Sequence, residues 1–457
     1  MIAERVLAGD AIDEQSLIDF LRSRRWFGSK AEDLAHARVL DGVVVRSQPP
    51  MLVAAVAEAR FHTGMHELYQ LLLGLHAHDD DRPGDVIGAS DGWVVYEALA
   101  DPGLARELVH LMRGESTIRG EDAVVEFRAA NLGGYGPDLS EARPLEAEQS
   151  NSSVVFGDEL ILKAYRRLEA GINPELEVLR FLTELGFPHV PALAGWYSYS
   201  GRLIDSTLGI LQAYMPGARD GWELAMDEIG SSSDRFLARL RRLGEVTGEL
   251  HGALASDSLD PDFAPEEPSS ESLALVVATV DEEIERIFLG LPEDERLEPI
   301  AGRGEEVRER LRLISHAGPL GRVIRTHGDY HLGQALWSGE DWVVLDFEGE
   351  PARSLAERRR KRSPLRDVAG MLRSFAYVAS AVQDVPDGWE ERARQEFLSG
   401  YFEYVEPSIV PPAGEGRERL LEIFELEKAV YELRYELNHR PDWVGIPVAG
   451  IARLLES

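Results

Sequence analysis

The spacing of apolar residues changes along the chain, from a two-residue period in the first half to a helical period in the second. Alternating apolar and polar positions predict strands, because successive side chains of a strand point to opposite faces. Gly157 and Asp158 separate two such runs, which predicts a β-hairpin. The polar stretch 76–92 is expected to form turns and loop. The clearest strand patterns are residues 51–62, 93–98, 124–127, 153–156 and 160–165.

Apolar residues at spacings of three and four predict helices in both halves of the chain. Asn173 and Pro174 suit the N-cap and the first position of one of them. From about residue 230 the pattern is mostly helical, and residues 324–348 are its one strong β interruption. The expected helices are 12–24, 104–116, 173–185, 237–251, 273–290, 304–315, 364–382, 389–405 and 415–437. Together these patterns predict an α+β fold.

The length of 457 residues predicts two or three domains or a two-lobed enzyme. The first 105 residues combine helix and strand patterns and are expected to form a unit of their own. An apolar run that stops at Pro216-Gly217 suits a connector between lobes. We therefore divide the chain into residues 1–105, a β-containing segment 106–216 and a helical segment 217–457.

Composition and charge exclude several classes of protein. The net charge is −33, which opposes binding to nucleic acid or to anionic lipid, so neither partner is expected. The chain contains no cysteine, which excludes disulfides, thiolate catalysis and cysteine-ligated zinc. No apolar run reaches the roughly 20 residues of a membrane span, and the first residues lack the pattern of a secretory signal. A cytoplasmic enzyme is expected.

Residues 326–348 combine a polar loop and an apolar strand in an order that suits phosphoryl transfer. Asp329 precedes Gln334 by five residues, and Asp346 ends the apolar run Val343–Leu345. A kinase needs a carboxylate that accepts the proton of the attacking hydroxyl, and an amide and a second carboxylate that bind the metal. We therefore expect Asp329 to be the catalytic base, and Gln334 and Asp346 to bind Mg²⁺.

Three neighbouring residues receive secondary assignments. Glu348 is a candidate for indirect contact with Mg²⁺ through water, although a solvated turn residue is nearly as good an interpretation. His327 and His331 are candidates for contact with the acceptor molecule. For the whole segment the alternative is a turn in which Asp and Gly serve only the backbone. The combination of Asp329, Gln334 and Asp346 in kinase order favours catalysis.

A polar loop upstream suits the phosphates of a nucleotide, because small polar residues offer backbone N–H groups and hydroxyls. Lys163 on the following strand suits the α- and β-phosphates, and Glu175 or Glu177 at the start of the next helix could fix it by an ion pair. The alternative is a polar hairpin with a solvated lysine. The candidate nucleotide-binding residues are Gln149, Ser150, Asn151, Ser152, Ser153, Lys163, Glu175, Gln212 and Tyr214.

A C-terminal helix carries residues that suit sugar binding. Tyr431, Tyr435 and Asn438 share one helical face, with Glu432 in a parallel stripe. Rings can stack on the apolar faces of a sugar, while carboxylates and amides bind its hydroxyls. An ordinary core stripe with solvated glutamates is an equal alternative. The basic run at 358–362 is unusual in so acidic a chain, and either a phosphate contact or a solvated loop fits it.

The loop 327–334 and the segment 346–351 resemble the aminoglycoside phosphotransferases, which have a protein-kinase-like fold. More narrowly, the chain resembles the maltokinases over nearly its whole length. The segments that carry this resemblance are 25–30, 149–153, 166–168, 173–175, 347–351, 363–374 and 438–443.

The resemblance implies a bilobal fold with an N-terminal cap subdomain over residues 1–105. It implies ATP- and Mg²⁺-dependent phosphorylation of the anomeric hydroxyl of maltose, which feeds α-glucan synthesis from trehalose. It also implies a possible association with trehalose synthase. Three alternatives stay open at this point: a glucosamine or other sugar kinase, an aminoglycoside kinase, and a pseudokinase scaffold.

Overall fold

The computed structural model describes residues 2–30, 32–77, 84–136, 141–145, 150–313, 320–339, 341–351 and 353–456. The chain forms two compact units. The first contains Met1–Glu184 and Pro191–Pro216, and the second contains Leu185–Val190 and Gly217–Ser457. The segments expected at 1–105 and 106–216 therefore lie together in the first unit, apart from Leu185–Val190. Strands dominate the first unit and helices the second, which confirms the predicted α+β fold class.

The first unit is built on two antiparallel sheets. One has the strand order β1-β2-β3-β5-β4, with β11 paired to β3, and the other has the order β6-β7-β12-β13-β10-β9-β8. The strands are β1 (Leu34–Arg46), β2 (Met51–Phe61), β3 (His66–Ala77), β4 (Val86–Ser90), β5 (Trp93–Glu97), β6 (Thr117–Arg119), β7 (Ala123–Ala129), β8 (Ala142–Leu145), β9 (Asn151–Phe156), β10 (Leu160–Tyr165), β11 (Arg167–Leu168), β12 (Leu193–Gly201) and β13 (Asp205–Ala213). The helices are α1 (Ile2–Leu7), α2 (Glu14–Ser23), α3 (Pro102–Arg113) and α4 (Pro174–Glu184).

The predicted hairpin at Gly157-Asp158 is confirmed by the pairing of β9 with β10, in which Ser153 lies opposite Lys163. The expected loop at 76–92 is wrong over Val86–Ser90, which is strand β4. Asp91 and Gly92 both have positive φ, of 51° and 75°. This conformation makes the two-residue turn that joins β4 to β5. Residues 78–83 of the expected loop lie outside the described residues.

Two apolar clusters hold the first unit together. Helix α3 buries Leu104, Leu108 and Met112 in a cluster that also contains residues of both sheets. A second cluster covers the other residues of the first sheet with α1, α2 and the segment Trp26-Phe27. Because one core is shared by both sheets, they are not separate folding units.

The second unit is helical around one small sheet of order β14-β15-β16. Its strands are β14 (Arg219–Asp220), β15 (Ala335–Ser338) and β16 (Asp341–Val344). Its helices are α5 (Gly221–Leu254), α6 (Ser270–Leu289), α7 (Gly304–Arg312), α8 (Leu355–Arg358), α9 (Leu365–Ala381), α10 (Trp389–Tyr404), α11 (Glu415–His439) and α12 (Gly445–Glu456). Non-helical backbone at Ser232 interrupts α5. Helices α5 and α10 cross closely, since a Cβ on Gly244 would lie 2.1 Å from the carbonyl oxygen of Phe397.

None of the helices in the described part of the chain is both long and apolar enough to cross a bilayer.

Candidate active site

Asp367, near the start of α9, accepts hydrogen bonds from the backbone of the loop that carries Asp329. The backbone N–H groups of His327 and Gly328 donate to its carboxylate at 2.8 and 3.0 Å. His251 of α5 contacts the same carboxylate through Nε2 at 3.1 Å. Burial raises the pKa of Asp367, but His251, His327 and the backbone N–H of Gly328 together outweigh burial, and the pKa is lowered. Asp367 is therefore a buried anion that fixes the loop, a role that the sequence analysis did not identify.

His327 ties the Asp329 loop to the strand that leads to Asp346. Its Nε2 donates to the carbonyl oxygen of Leu345 at 2.7 Å, and its Nδ1 accepts from the backbone N–H of Asp329 at 3.3 Å. Its ring also packs against Phe347 with centroids 4.9 Å apart. The residue is 1% exposed, and both ring nitrogens are used. The expected contact between His327 and the acceptor is therefore wrong.

Lys428 of α11 holds the candidate base. Its Nζ lies 3.1 Å from Oδ1 of Asp329 and 2.9 Å from Oε1 of Glu350, and Arg353 contacts the other oxygen of Glu350. Burial disfavours the cation, but Glu350 and Asp329 outweigh it and hold the pKa of Lys428 well above its ordinary value. Conversely, burial raises the pKa of Glu350, while Lys428 and Arg353 outweigh it and lower that pKa to about 2. Lys428 was missed in the sequence because nothing near it in the chain marks it.

Gln334 and Asp346, the expected Mg²⁺ ligands, lie side by side. Nε2 of Gln334 donates to Oδ2 of Asp346 at 3.1 Å, and one carboxylate oxygen each of Asp346 and Glu348 lie within 4.8 Å of one another. Asp346 has a positive φ of 63°, a strained conformation that is common at functional sites. These amide and carboxylate oxygens fit Mg²⁺, which prefers hard oxygen ligands.

The candidate nucleotide residues lie on β9, β10 and α4 of the first unit. Nζ of Lys163 lies 2.9 Å from Oε2 of Glu175, which also accepts from the hydroxyl of Tyr165 at 2.8 Å. Asn173 caps α4 by accepting from the backbone N–H of Glu175 at 2.8 Å. The expected ion pair is thus formed through Glu175, and the nucleotide role of both residues stays a prediction.

The polar nucleotide loop is only partly described. Gln149 lies outside the described residues, and Ser150 accepts from Nδ2 of Asn151 at 3.2 Å. Ser153 is buried at the start of β9, whereas Gln212 and Tyr214 lie at and just beyond the end of β13. Tyr214 receives a hydrogen bond from Arg143 at 3.4 Å.

An arginine connects this loop to the cap segment Trp26-Phe27. Nε of Arg166 donates to Oγ of Ser152 at 2.8 Å, and its guanidinium lies 5.0 Å from the Trp26 ring centroid. Arg166 also forms an ion pair with Glu97 at 3.0 Å and is 1% exposed. Trp26 and Glu97 therefore help to fix the β9–β10 hairpin through Arg166.

A cavity of about 560 Å³ in the second unit, here called the acceptor cavity, contains Asp329 in its wall. His331 and Glu432, two expected acceptor contacts, also line it. Five aromatic residues line the cavity as well: Trp222, Tyr377, Tyr431, Tyr435 and Trp443. Asn438 is not among the residues that line it, and its Nδ2 donates to the carbonyl oxygen of Arg434 at 2.9 Å. The expected acceptor contact of Asn438 is wrong.

Several charges in the acceptor cavity are already paired. Arg373 donates to Glu432 at 2.7 Å, and Tyr377 and Arg440 donate to Glu436 at 3.1 and 2.8 Å. Burial raises the pKa of Glu432, and burial lowers the pKa of His331, which favours a neutral imidazole beside Asp329. The cavity thus presents aromatic rings, the imidazole of His331 and fixed hydrogen-bonding groups around the candidate base.

Comparison with known families agrees with this geometry. Residues 141–407, more than half of the chain, match the model of the phosphotransferase enzyme family. Residues 20–101 match the maltokinase N-terminal cap domain.

Individual relatives are aminosugar kinases. The chain is 28% identical to a glucosamine kinase of Streptacidiphilus jiangxiensis over 356 residues, which covers 74% of this chain and 78% of the relative. It is 29% identical to a glucosamine kinase of Mycolicibacterium smegmatis over 338 residues, which covers 69% of this chain and 80% of the relative. A solved glucosamine kinase in complex with glucosamine, ADP and inorganic phosphate has the same fold, with a TM-score of 0.67, 21% identity and coverage of 96% and 98%.

Proposed function

Because the chain belongs to the phosphotransferase enzyme family and carries a maltokinase-type cap domain, we propose that it transfers the γ-phosphate of ATP to the anomeric hydroxyl of maltose. One observation carries the proposal. The wall of the acceptor cavity contains both the candidate base Asp329 and five aromatic residues. Rings in this number suit a ligand with more than one sugar ring, because each sugar face can stack on its own platform.

In the proposed reaction the anomeric oxygen attacks the γ-phosphorus and the bond from that phosphorus to the ADP oxygen breaks. Asp329 accepts the proton of the attacking hydroxyl, so that maltose 1-phosphate and ADP are the products. Lys428 and the backbone contact to His327 hold the Asp329 loop in place for this role. Lys163, fixed by Glu175, supplies positive charge for the nucleotide phosphates. Mg²⁺, held by Asp346 and Gln334 when bound, would neutralise charge on the transferred phosphate.

Glucosamine is the second candidate acceptor, because two relatives are named glucosamine kinases and the acceptor cavity contains carboxylates. Glu432 and Glu436 are engaged by Arg373 and by Arg440, whereas Glu223 is exposed and makes no ion pair with any residue that the structure describes. Glu223 is therefore the carboxylate best able to meet an ammonium group.

Steady-state kinetics with maltose, glucose and glucosamine test the proposal. We expect kcat/KM for maltose to exceed that for glucosamine by about a hundredfold, because the second ring adds contacts that a monosaccharide lacks. Phosphorus NMR of the product should show a phosphate coupled to the anomeric proton. A preference for glucosamine would refute the proposal, and loss of that preference in Glu223→Gln would then support the second candidate.

A matched pair of variants tests the aromatic wall. Tyr435→Ala should raise KM for maltose with little change in kcat, since Tyr435 lines the acceptor cavity but lies on α11 away from the loop. Tyr404→Ala is the control, because Tyr404 is comparably exposed, at 47% against 40%, and does not line that cavity. Equal effects of the two substitutions on KM would contradict the assignment of the cavity.

A further inference from the structure

A second cavity in the helical unit, here called the arginine cavity, has a volume of about 60 Å³. It is large enough for a few waters or one small anion. Thr326 and Gly328 of the Asp329 loop contribute to its wall. Four arginines line it as well: Arg353, Arg358, Arg362 and Arg366. Two of these four belong to the basic run 358–362, for which the proposed kinase reaction has no use.

The rest of the basic run lies elsewhere. Lys361 donates to the carbonyl of Pro261 at 2.6 Å and contacts Glu266, and Arg359 lies 3.8 Å from Asp262. Arg360 is exposed and does not line the cavity. Lys361 and Arg359 of the run therefore contact residues 261–266, whereas Arg358 and Arg362 line the arginine cavity.

The carboxylates of the arginine cavity are committed to other groups. Lys428 and Arg353 bind Glu350, and Arg366 binds Glu427 at 2.7 Å. Asp367 accepts from the Asp329 loop and contacts His251. Glu357 forms the capping box of α8 with Ser354.

Among the described residues, the side chain of Arg362 has no direct carboxylate partner. Its backbone is fixed by two hydrogen bonds with Ile324, at 2.8 and 2.9 Å, but its side chain makes no hydrogen bond or ion pair with any residue that the structure describes. Burial and repulsion from Arg366 and Arg353 outweigh the attraction from Glu427 and Glu350, so the pKa of Arg362 is lowered to about 10. A partly buried guanidinium without a direct hydrogen-bonding partner is costly, so an anion that binds it in the cavity would reduce that electrostatic penalty.

We propose that the arginine cavity is a binding site for a phosphate-type oxyanion, held by Arg362 together with Arg353 and Arg366. Guanidinium groups present planar pairs of N–H donors that match the oxygens of phosphate. The source of the oxyanion is either free inorganic phosphate or the phosphate group of a small phosphorylated metabolite. Glu350 and Lys428 also line this cavity, so its occupant would lie beside the ion pair that holds Asp329.

Thermal unfolding during a phosphate titration tests this site. The full chain is measured without sugar or nucleotide, with EDTA present and with ionic strength held constant by sodium chloride. We expect a saturable rise in the unfolding temperature of the unmodified protein. Arg362→Gln should weaken phosphate binding by about tenfold or more, because it removes hydrogen bonds to a charged group. Arg360→Gln, the matched control from the same run, should respond like the unmodified protein.

Two further measurements make the result decisive. Without phosphate, Arg362→Gln should unfold at the same temperature as the unmodified protein or higher, because it removes an unpaired buried charge. Lys163→Met should keep the full response, which separates the arginine cavity from phosphate bound at the nucleotide site. If Arg362→Gln does not fold, Arg362→Lys replaces it, and weaker phosphate binding is again expected because lysine lacks the planar pair of donors.

An unchanged response in the folded Arg362 variant, or equal loss in Arg360→Gln, would overturn the proposal, as would the absence of a saturable response in the unmodified protein. Titration with glucose 1-phosphate in place of phosphate distinguishes the two sources. An Arg362-dependent response to both ligands assigns the site to phosphate esters as well, and a response to phosphate alone assigns it to the free anion. Because no sugar is phosphorylated in these measurements, the result does not depend on the proposed function.

Discussion

Replacement of Lys428 by Met tests the buried ion pairs next to the candidate base. Glu350 keeps Arg353 as a partner in this variant, so its carboxylate is not left without a counter-charge. Lowering the Glu350 pKa from 4.5 to about 2 corresponds to a net stabilisation of about 3 kcal/mol, which is what Lys428 and Arg353 together contribute beyond the opposing effect of burial. If Lys428 and Arg353 contribute equally to this stabilisation, and the lost contact with Asp329 adds a smaller amount, Lys428→Met lowers the free energy of unfolding by about 2 kcal/mol. This is less than the roughly 3 to 5 kcal/mol for breaking a buried pair completely.

Thermal unfolding of Lys428→Met should show a midpoint about 4 to 8 °C lower at pH 7. Because the folded pKa of Glu350 is depressed, its stabilising contribution is complete above pH 4.5 and is lost as the pH falls from 4.5 towards 2. The difference between the two proteins should therefore shrink over this range.

Arg434→Met on the same helix is the control for Lys428→Met. Arg434 pairs with Glu283 at a partly exposed site, and such pairs contribute about 1 kcal/mol or less. A Lys428→Met protein as stable as Arg434→Met at pH 7, or a difference that grows as the pH falls, would refute the reasoning.

Two more substitutions probe the Asp329 loop directly. Asp329→Asn should lower kcat by about 10² to 10⁴ with an unchanged circular dichroism spectrum, and near-normal turnover would remove Asp329 as the base. Gly370→Ala should destabilise the protein by about 1 to 3 kcal/mol and lower kcat, because its Cβ would lie 2.6 Å from the carbonyl oxygen of Tyr330. Gly252→Ala in α5 meets no atom within 4 Å and should be neutral or stabilising in the same denaturation assay, so equal losses would contradict the steric argument.

The local elements of this fold were predictable because they are encoded in short patterns. The hairpin of β9 and β10 follows from two apolar runs around Gly157-Asp158, and Asn173-Pro174 marks the start of α4. Helix α12 was not predicted. The joining of two sheets through one core was not predicted either, because it depends on contacts between residues far apart in the chain.

The same limit applies to the candidate site. Asp329, Gln334 and Asp346 share one short segment, so their spacing in the sequence indicated their chemistry. Lys428 and Asp367 contact the loop from α11 and α9, at sequence separations of 99 and 40 residues, and carry no local signal. His327 shows the opposite error, since a polar residue beside the base was expected to face the acceptor and instead lies buried beneath the loop.

The left-handed backbone of Asp346 decides how its chemistry can be isolated by mutation. Most side chains are strained at φ 63°, so alanine there would combine loss of a metal ligand with a rearranged backbone. Asparagine is among the few residues that adopt this conformation readily, and it keeps an oxygen that can bind metal while removing the negative charge. Asp346→Asn therefore separates the contribution of charge from that of loop shape at this position.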